Sequence, residues 1–328
     1  MAISLTFSYH IYVKYLGSYN FGIAFGIFSA LTLVTLKTVY LPIQQVVLKF
    51  VKVPIVNADE NMEISVAFKR RGGLIIFTGL LSAFSFCCML PYLNNVEAAF
   101  LFIVSSSFGR LIQVPLAVKF FDDRIANPRY YYFWLIVSII GGVIFQVGSI
   151  KAGLASTKIS IVLAACLSTS FNCIKALVFR GITTKSIAKK RYVPVKTTCE
   201  IITGTETIIG VIVGLFILPE FTNTSIVFPD YRQTVALFVI GSLVPIAGTI
   251  ASRLVNELSQ PIVRAVDGIR ITLGLFITII FAIMTNETDR IFFNFNQKLI
   301  GIAFIMLGVY CSLAFGKPQK PDYAKSIK

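Results

Sequence analysis

The stretch GGLIIFTGLLSAFSFCCMLPYLNNV (72–96) runs from its first glycine to its last valine without one charged side chain. About 20 mostly apolar residues let a helix cross the hydrocarbon core of a bilayer, so this segment is long enough to span one. The stretch YYYFWLIVSIIGGVIFQVGSI (130–150) has the same character. Over all 328 residues, 56% are hydrophobic and only 14% are charged, whereas about 25% charged is usual for a soluble domain. With a mean hydropathy of +0.80, the chain lacks the polar surface a soluble globule needs. It reads as an integral membrane protein with an all-α fold.

Applying the same criterion along the chain marks nine apolar stretches, roughly 21–41, 73–92, 96–118, 131–150, 157–179, 199–218, 233–253, 260–284 and 297–316. Residues 1–20 lack the basic start, compact apolar centre and small-residue cleavage site of a signal peptide, and are expected to stay as a lumenal or extracellular N-terminus. Orientation follows from the bias of Lys and Arg towards cytoplasmic loops. One alternating set of connections (42–72, 119–129, 180–198, Arg253 and the tail 317–328) carries 19 basic residues, and the opposite set carries six. The C-terminus is therefore expected in the cytosol, and an odd number of helices follows. The two N-x-S/T sequons, at Asn223 and Asn286, both fall in loops this arrangement places in the lumen, where glycosylation occurs. The net charge of +15 is explained by topology without invoking nucleic acid.

Several activities are excluded by composition. With His10 as the single histidine, zincin motifs and Ser/His/Asp or Cys/His nucleophile systems have no place. The six cysteines sit in or beside apolar stretches with no metal-knuckle or disulfide spacing, so they read as small buried hydrophobes. The expectation is a protein that is not an enzyme and holds no metal or cofactor.

A faint internal repeat divides the apolar region into halves at 21–152 and 153–316. LLSAFSFCCMLPYLNNVEAAFLFIVSSSFGRL (80–111) runs parallel to SLVPIAGTIASRLVNELSQPIVRAVDGIRITL (242–273), setting Asn94 against Asn256 and, after a two-residue slip, Arg110 against Arg270. Each is followed by a helix ending in Gly-Val, at Gly142-Val143 and Gly308-Val309. With LNNVEAAFLFIVSSSFGRLIQVPLAVKFFDDRI (93–125), NELSQPIVRAVDGIRITLGLFITIIF (256–281) and KLIGIAFIMLGVYCSLAFGK (298–317), the chain resembles the drug/metabolite transporter superfamily, which includes EamA-type exporters and nucleotide-sugar transporters. The resemblance implies two inverted five-helix halves, ten helices and two cytosolic termini. The charge count instead requires a nine-helix bundle lacking the family's first helix, by nature or through a truncated gene model.

Ionisable groups deep in apolar helices are costly and usually face the bundle interior or a wet cavity, so they are the candidate site residues. Arg110 and Arg270 lie far inside their helices. Arg264, Asp267 and Arg270 follow one another at spacings of three and share a helical face. They form either a salt bridge that neutralises buried charge or, with two cations to one carboxylate, an anion site. Lys175 either snorkels to the nearby interface or binds substrate, and Glu206 is a proton-coupling group, a partner for a substrate cation or the counter-ion of Lys175.

These features favour a secondary carrier of small organic solutes, including anionic ones such as nucleotide sugars, in a Golgi or other endomembrane rather than the plasma membrane. The alternatives are a serpentine receptor and a lipid or oligosaccharide flippase. The expected partners are the bilayer, a small-molecule substrate and a second copy of the chain, with no nucleic acid.

Overall fold

The structure, a computed structural model, describes residues 62–89, 96–145, 159–212, 252–269 and 295–322, together with positions 216 and 231. The apolar stretch 21–41, nearly all of 233–253, both sequons and Arg270 lie outside the described residues. Within them the protein is all-helical. The long helices are α1 (Ile64–Met89), α2 (Val96–Phe121), α3 (Pro128–Phe145), α4 (Ile159–Thr183), α6 (Val195–Ile212) and α8 (Phe295–Gly316); the short ones are α5 (Lys185–Ala188) and α7 (Gln260–Val266). A single 3-10 turn, Lys189–Arg191, follows α5. Among the described residues three segments, Pro128–Phe145, Leu163–Thr183 and Phe295–Gly316, are long and apolar enough to cross a membrane, which is consistent with a membrane protein.

The helices form two compact units. Of the described residues, 62–89, 171–212 and 252–256 belong to one, and 96–145, 159–170, 257–269 and 295–322 to the other.

In the first unit α1 and α6 run side by side in the same direction, since Thr197 donates to the Met62 carbonyl and Gly79 lies against Thr205. A Cβ on Gly79 would sit 2.7 Å from that of Thr205. The second half of α4 runs antiparallel to α1, with Asn172 donating to Ser85 and Lys175 to Ser82. Ala67, Ile75, Phe179, Ile182, Val193, Val195, Ile201 and Ile202 make the core. Apolar packing has no solvent drive between helices in lipid, so close approach at small residues does much of the work. Threonines are tolerated there because Thr78, Thr183, Thr198 and Thr205 each donate to the carbonyl four residues earlier. Helix α1 is broken at Arg71, whose backbone is non-helical, so the charged Lys69–Arg71 step is set off from the apolar body that follows.

In the second unit α3 and α8 pack antiparallel along a seam of small residues. Gly141 faces Gly301, Gly308 faces Ser138, and Gly316 faces Tyr131. The spacing of seven and eight residues along α8 keeps its three glycines on one face. A Cβ on Gly308 would lie 2.5 Å from the Ser138 nitrogen, closer than any side chain can go. The α2–α3 connection is stitched to the chain leaving α8. Ile125 and Pro318 form an antiparallel bridge, Ala126 and Asn127 donate to the carbonyls of Lys317 and Gly316, and Gln319 donates to Arg124. Asp122 and Lys317, the residues just past α2 and α8, have φ of 52° and 43°, so both helices end in a left-handed cap.

Two elements differ from the sequence expectation. The stretch 260–284 reads as one helix, but α7 stops at Val266 and Asp267–Gly268 form a turn. Gly268 disfavours helix, and its backbone is pressed against Ser138 and Val309, where a Cβ would sit 2.9 Å from each. The stretch 180–198 reads as a basic loop, yet α4 continues to Thr183 and a folded turn follows. The carbonyl of Ile182 is taken by the Val193 amide, which folds the chain back onto the core.

Candidate functional site

Each unit holds a polar cluster inside apolar helices. In the second unit it is centred on Arg110, 14 residues past the start of α2 and 11 before its end. By helical rise it is about 16 Å or more from either end, beyond the reach of snorkelling. Its side chain is 1% exposed. One Nη donates to the Ser138 hydroxyl at 3.4 Å, and Ser138 is the α3 residue against which Gly268 and Gly308 close. The seam of small residues therefore fixes the acceptor that meets Arg110.

Around this contact α7 brings further polar groups. Arg264 pairs with Asp267, the C-cap of α7, at 3.5 Å. The Tyr131 hydroxyl donates to the Pro261 carbonyl at 2.7 Å and lies within electrostatic reach of both Arg110 and Arg264. Gln260 donates through its side chain to Gln113 at 2.9 Å and through its backbone to Asp123 at 2.8 Å. The carboxylate of Asp123, fully buried, thus takes the first amide of α7, which lacks an intrahelical acceptor. Just before it Ser259 has φ of 119°, so α7 begins and ends on irregular backbone.

In the first unit Lys175 of α4 meets Glu206 of α6 at 3.3 Å and also hydrogen-bonds Ser82 of α1. Because α4 runs on to Thr183, Lys175 is eight residues from the helix end, about 12 Å by helical rise. Snorkelling is correspondingly harder than the sequence alone suggests. Both partners keep roughly a third of their surface accessible, 29% and 30%. Of the roles open to Glu206, that of counter-ion to Lys175 is the one matched by a contact in the structure.

The sequence candidates Arg110, Lys175, Asp267 and Glu206 are thus placed, with Arg110 and Asp267 in one unit and Lys175 and Glu206 in the other. Arg270, Asn223 and Asn286 lie outside the described residues. Sequence reasoning missed Gln113, Asp123, Ser138 and Gln260, because uncharged amides and hydroxyls do not break a hydropathy pattern and Asp123 sits where a cytosolic loop was expected. It also set Arg180 and Arg253 in solvated loops, whereas both are buried, at 2% and 5% exposure. Nearby, Asn256 donates to the Thr183 hydroxyl at 2.8 Å. The signal available was Arg180 followed within about one turn by Thr183 and Thr184, three polar side chains close to a helix end.

Among the described residues Cys173 and Cys311 are buried, Cys88, Cys166 and Cys199 are half-buried, and none is in a disulfide. Those residues also contain no group of three or more His, Cys, Asp or Glu side chains able to hold a metal.

Chemically, the second-unit cluster suits an anionic group. The Arg110–Ser138 hydrogen bond is long, and a carboxylate or phosphate oxygen would meet the guanidinium at about 2.7–2.9 Å, roughly doubling its strength. Neither a family model nor a curated protein matches the chain.

Proposed function

We propose that the protein is a multi-pass membrane carrier of small organic solutes, working by alternating access, with anionic compounds such as nucleotide sugars as the favoured substrate class. In this reading the chain is a nine-span member of the drug/metabolite transporter superfamily built from two inverted halves, and it resides in an endomembrane. The observation that carries the proposal is a buried arginine beside the point where α7 gives way to the Asp267–Gly268 turn. Transporter sites typically form at the bilayer midplane where a spanning helix unwinds, and the break at Asp267–Gly268 falls beside Ser138, the hydrogen-bond partner of Arg110. Arg110 would take the anionic group, Arg264 and Asp267 would hold the far side of the cluster, and Arg270 would join them from the same segment. Lys175 and Glu206 form a second ion pair suited to carrying a proton or a substrate charge.

The test is counterflow uptake into proteoliposomes holding the purified full chain, with a panel of labelled nucleotide sugars and organic anions. Saturable uptake that exchanges with internal substrate is expected. Arg110→Leu should abolish it in a protein that still purifies as a single species, and Arg110→Lys should lower it at least tenfold, because an ammonium lacks the planar donor fork. Full uptake by well-folded Arg110→Leu removes the arginine from the site; absence of any saturable flux in the wild type removes the carrier reading.

A further inference from the structure

In the first unit, the start of α1, the end of α4 and the start of α6 converge on one folded basic turn. Thr184 accepts from the amides of Ile187 and Ala188, and Lys189 accepts from that of Tyr192. The return strand is held at both ends. Val193, fully buried, donates to Ile182, and the Tyr192 carbonyl takes a hydrogen bond from Arg70 of α1 at 3.0 Å. Lys185 lies 5.3 Å over the Tyr192 ring. The turn is therefore a preformed surface standing on the Ile182–Val193–Ile201 core.

Its charge is one-sided. Lys69, Arg70, Lys185, Lys189, Lys190 and Arg191 are all exposed, and Lys196 is half-buried. Among the described residues of these helix ends, the acids are Glu63 and Glu200. Two exposed apolar side chains, Phe68 and Ile187, are interleaved with the cations.

Lys189 adds an independent sign. Its φ of 51° with ψ of −126° is backbone that suits glycine, yet the position carries a lysine. Backbone strain of this kind persists only where the surroundings over-determine it, and such positions cluster at functional sites.

We propose that this turn is a docking surface for anionic phospholipid headgroups of the adjoining leaflet, with Lys185, Lys189, Lys190 and Arg191 facing the phosphates and Ile187 entering the acyl boundary. Topological bias alone requires cations somewhere in a cytoplasmic loop; it does not require them to be fixed in place by Arg70, Tyr192 and a strained backbone. Basic clusters of four to eight residues beside a spanning helix bind anionic leaflets, each cation adding about fivefold in affinity before screening. The partner is the membrane surface rather than a soluble anion, because the cations are all exposed and spread along the turn, with the exposed apolar side chain of Ile187 among them.

The experiment uses the full chain in neutral detergent, incubated with equal amounts of phosphatidylserine and phosphatidylcholine, with retained lipid counted by native mass spectrometry. Wild type should retain the serine lipid several-fold over the choline lipid, and the preference should fall as salt is raised. The variant Lys185→Gln, Lys189→Gln, Lys190→Gln, Arg191→Gln should lose at least tenfold of that preference, while the charge control Lys317→Gln, Lys320→Gln keeps it. Lys189→Gly separates charge from folding: it should unfold at the same or a higher temperature than wild type, yet bind the anionic lipid several-fold more weakly. Unchanged lipid preference in the quadruple variant overturns the proposal. So does an equal loss in the Lys317, Lys320 control, or displacement of the lipid by inorganic phosphate at an ionic strength where chloride leaves it bound.

Discussion

Asp122 and Asp123 are adjacent carboxylates in opposite surroundings. Asp123 is closed off from solvent and takes the first amide of α7, whereas Asp122 is exposed and bonds Arg124 at 2.9 Å, which also meets Asp322 of the tail at 3.3 Å. The hydrogen bond from Arg124, aided by its charge, holds the Asp122 carboxyl below the ordinary aspartate range. A folded-state value below the unfolded one, about 3.9, means that this contribution is fully present above that point and is lost as pH falls through the folded value. Spin labels at positions 126 and 319 should therefore keep one narrow distance distribution from about pH 5 to pH 8, broadening only below the aspartate range. Broadening near neutral pH would assign the tail contact to another group. The two aspartates also show what one sequence hides at this scale. Arg110, Lys175, Asp267 and Glu206 announce themselves by charge in an apolar run, but nothing in FFDDRI tells which carboxylate folds inward, since that depends on the amide of Gln260, 137 residues away.

Among the elements, α3 and α8 make the tightest seam, and its glycines are separable by the space beside them. Gly308→Ala would press a methyl group into the backbone of Trp134 and Ser138; overpacking of this order costs roughly 1–3 kcal/mol. Gly73→Ala has nothing within 4 Å of the new carbon and gains about 1 kcal/mol of helix propensity. Thermal unfolding in detergent should separate them, with Gly308→Ala lowered and Gly73→Ala equal or raised; equal destabilisation would show that the seam is looser than described. The apolar runs from 73 onward located α1 to α4, α6 and α8, because length and hydropathy are local properties. The ends were less legible. Helix α1 begins nine residues before the apolar run, with the break at Arg71 marking the join, and α7 stops at Val266 because Gly268 just beyond it is pressed against α3 and α8.

For the whole molecule, the loop charges and sequon positions make one joint prediction. In a eukaryotic host, glycosidase-sensitive mass should appear on Asn223 and Asn286, and a C-terminal tag should be accessible from the cytosol. A lumenal tag would overturn the nine-span reading. The chain's order also sets a schedule for assembly. Helix α3 ends at Phe145 and its partner α8 starts at Phe295, so roughly 150 residues are synthesised between them, about 8–30 s at ordinary elongation rates. Throughout that interval the Ser138–Gly141 face has no α8 to close on, and Arg110 has been made before the arrangement that surrounds it exists. Quality control acting on the ribosome-bound chain would see an unfinished second unit until α8 has emerged. Nascent chains stalled before Phe295 should accordingly be retained by membrane chaperones far longer than chains stalled after Gly316.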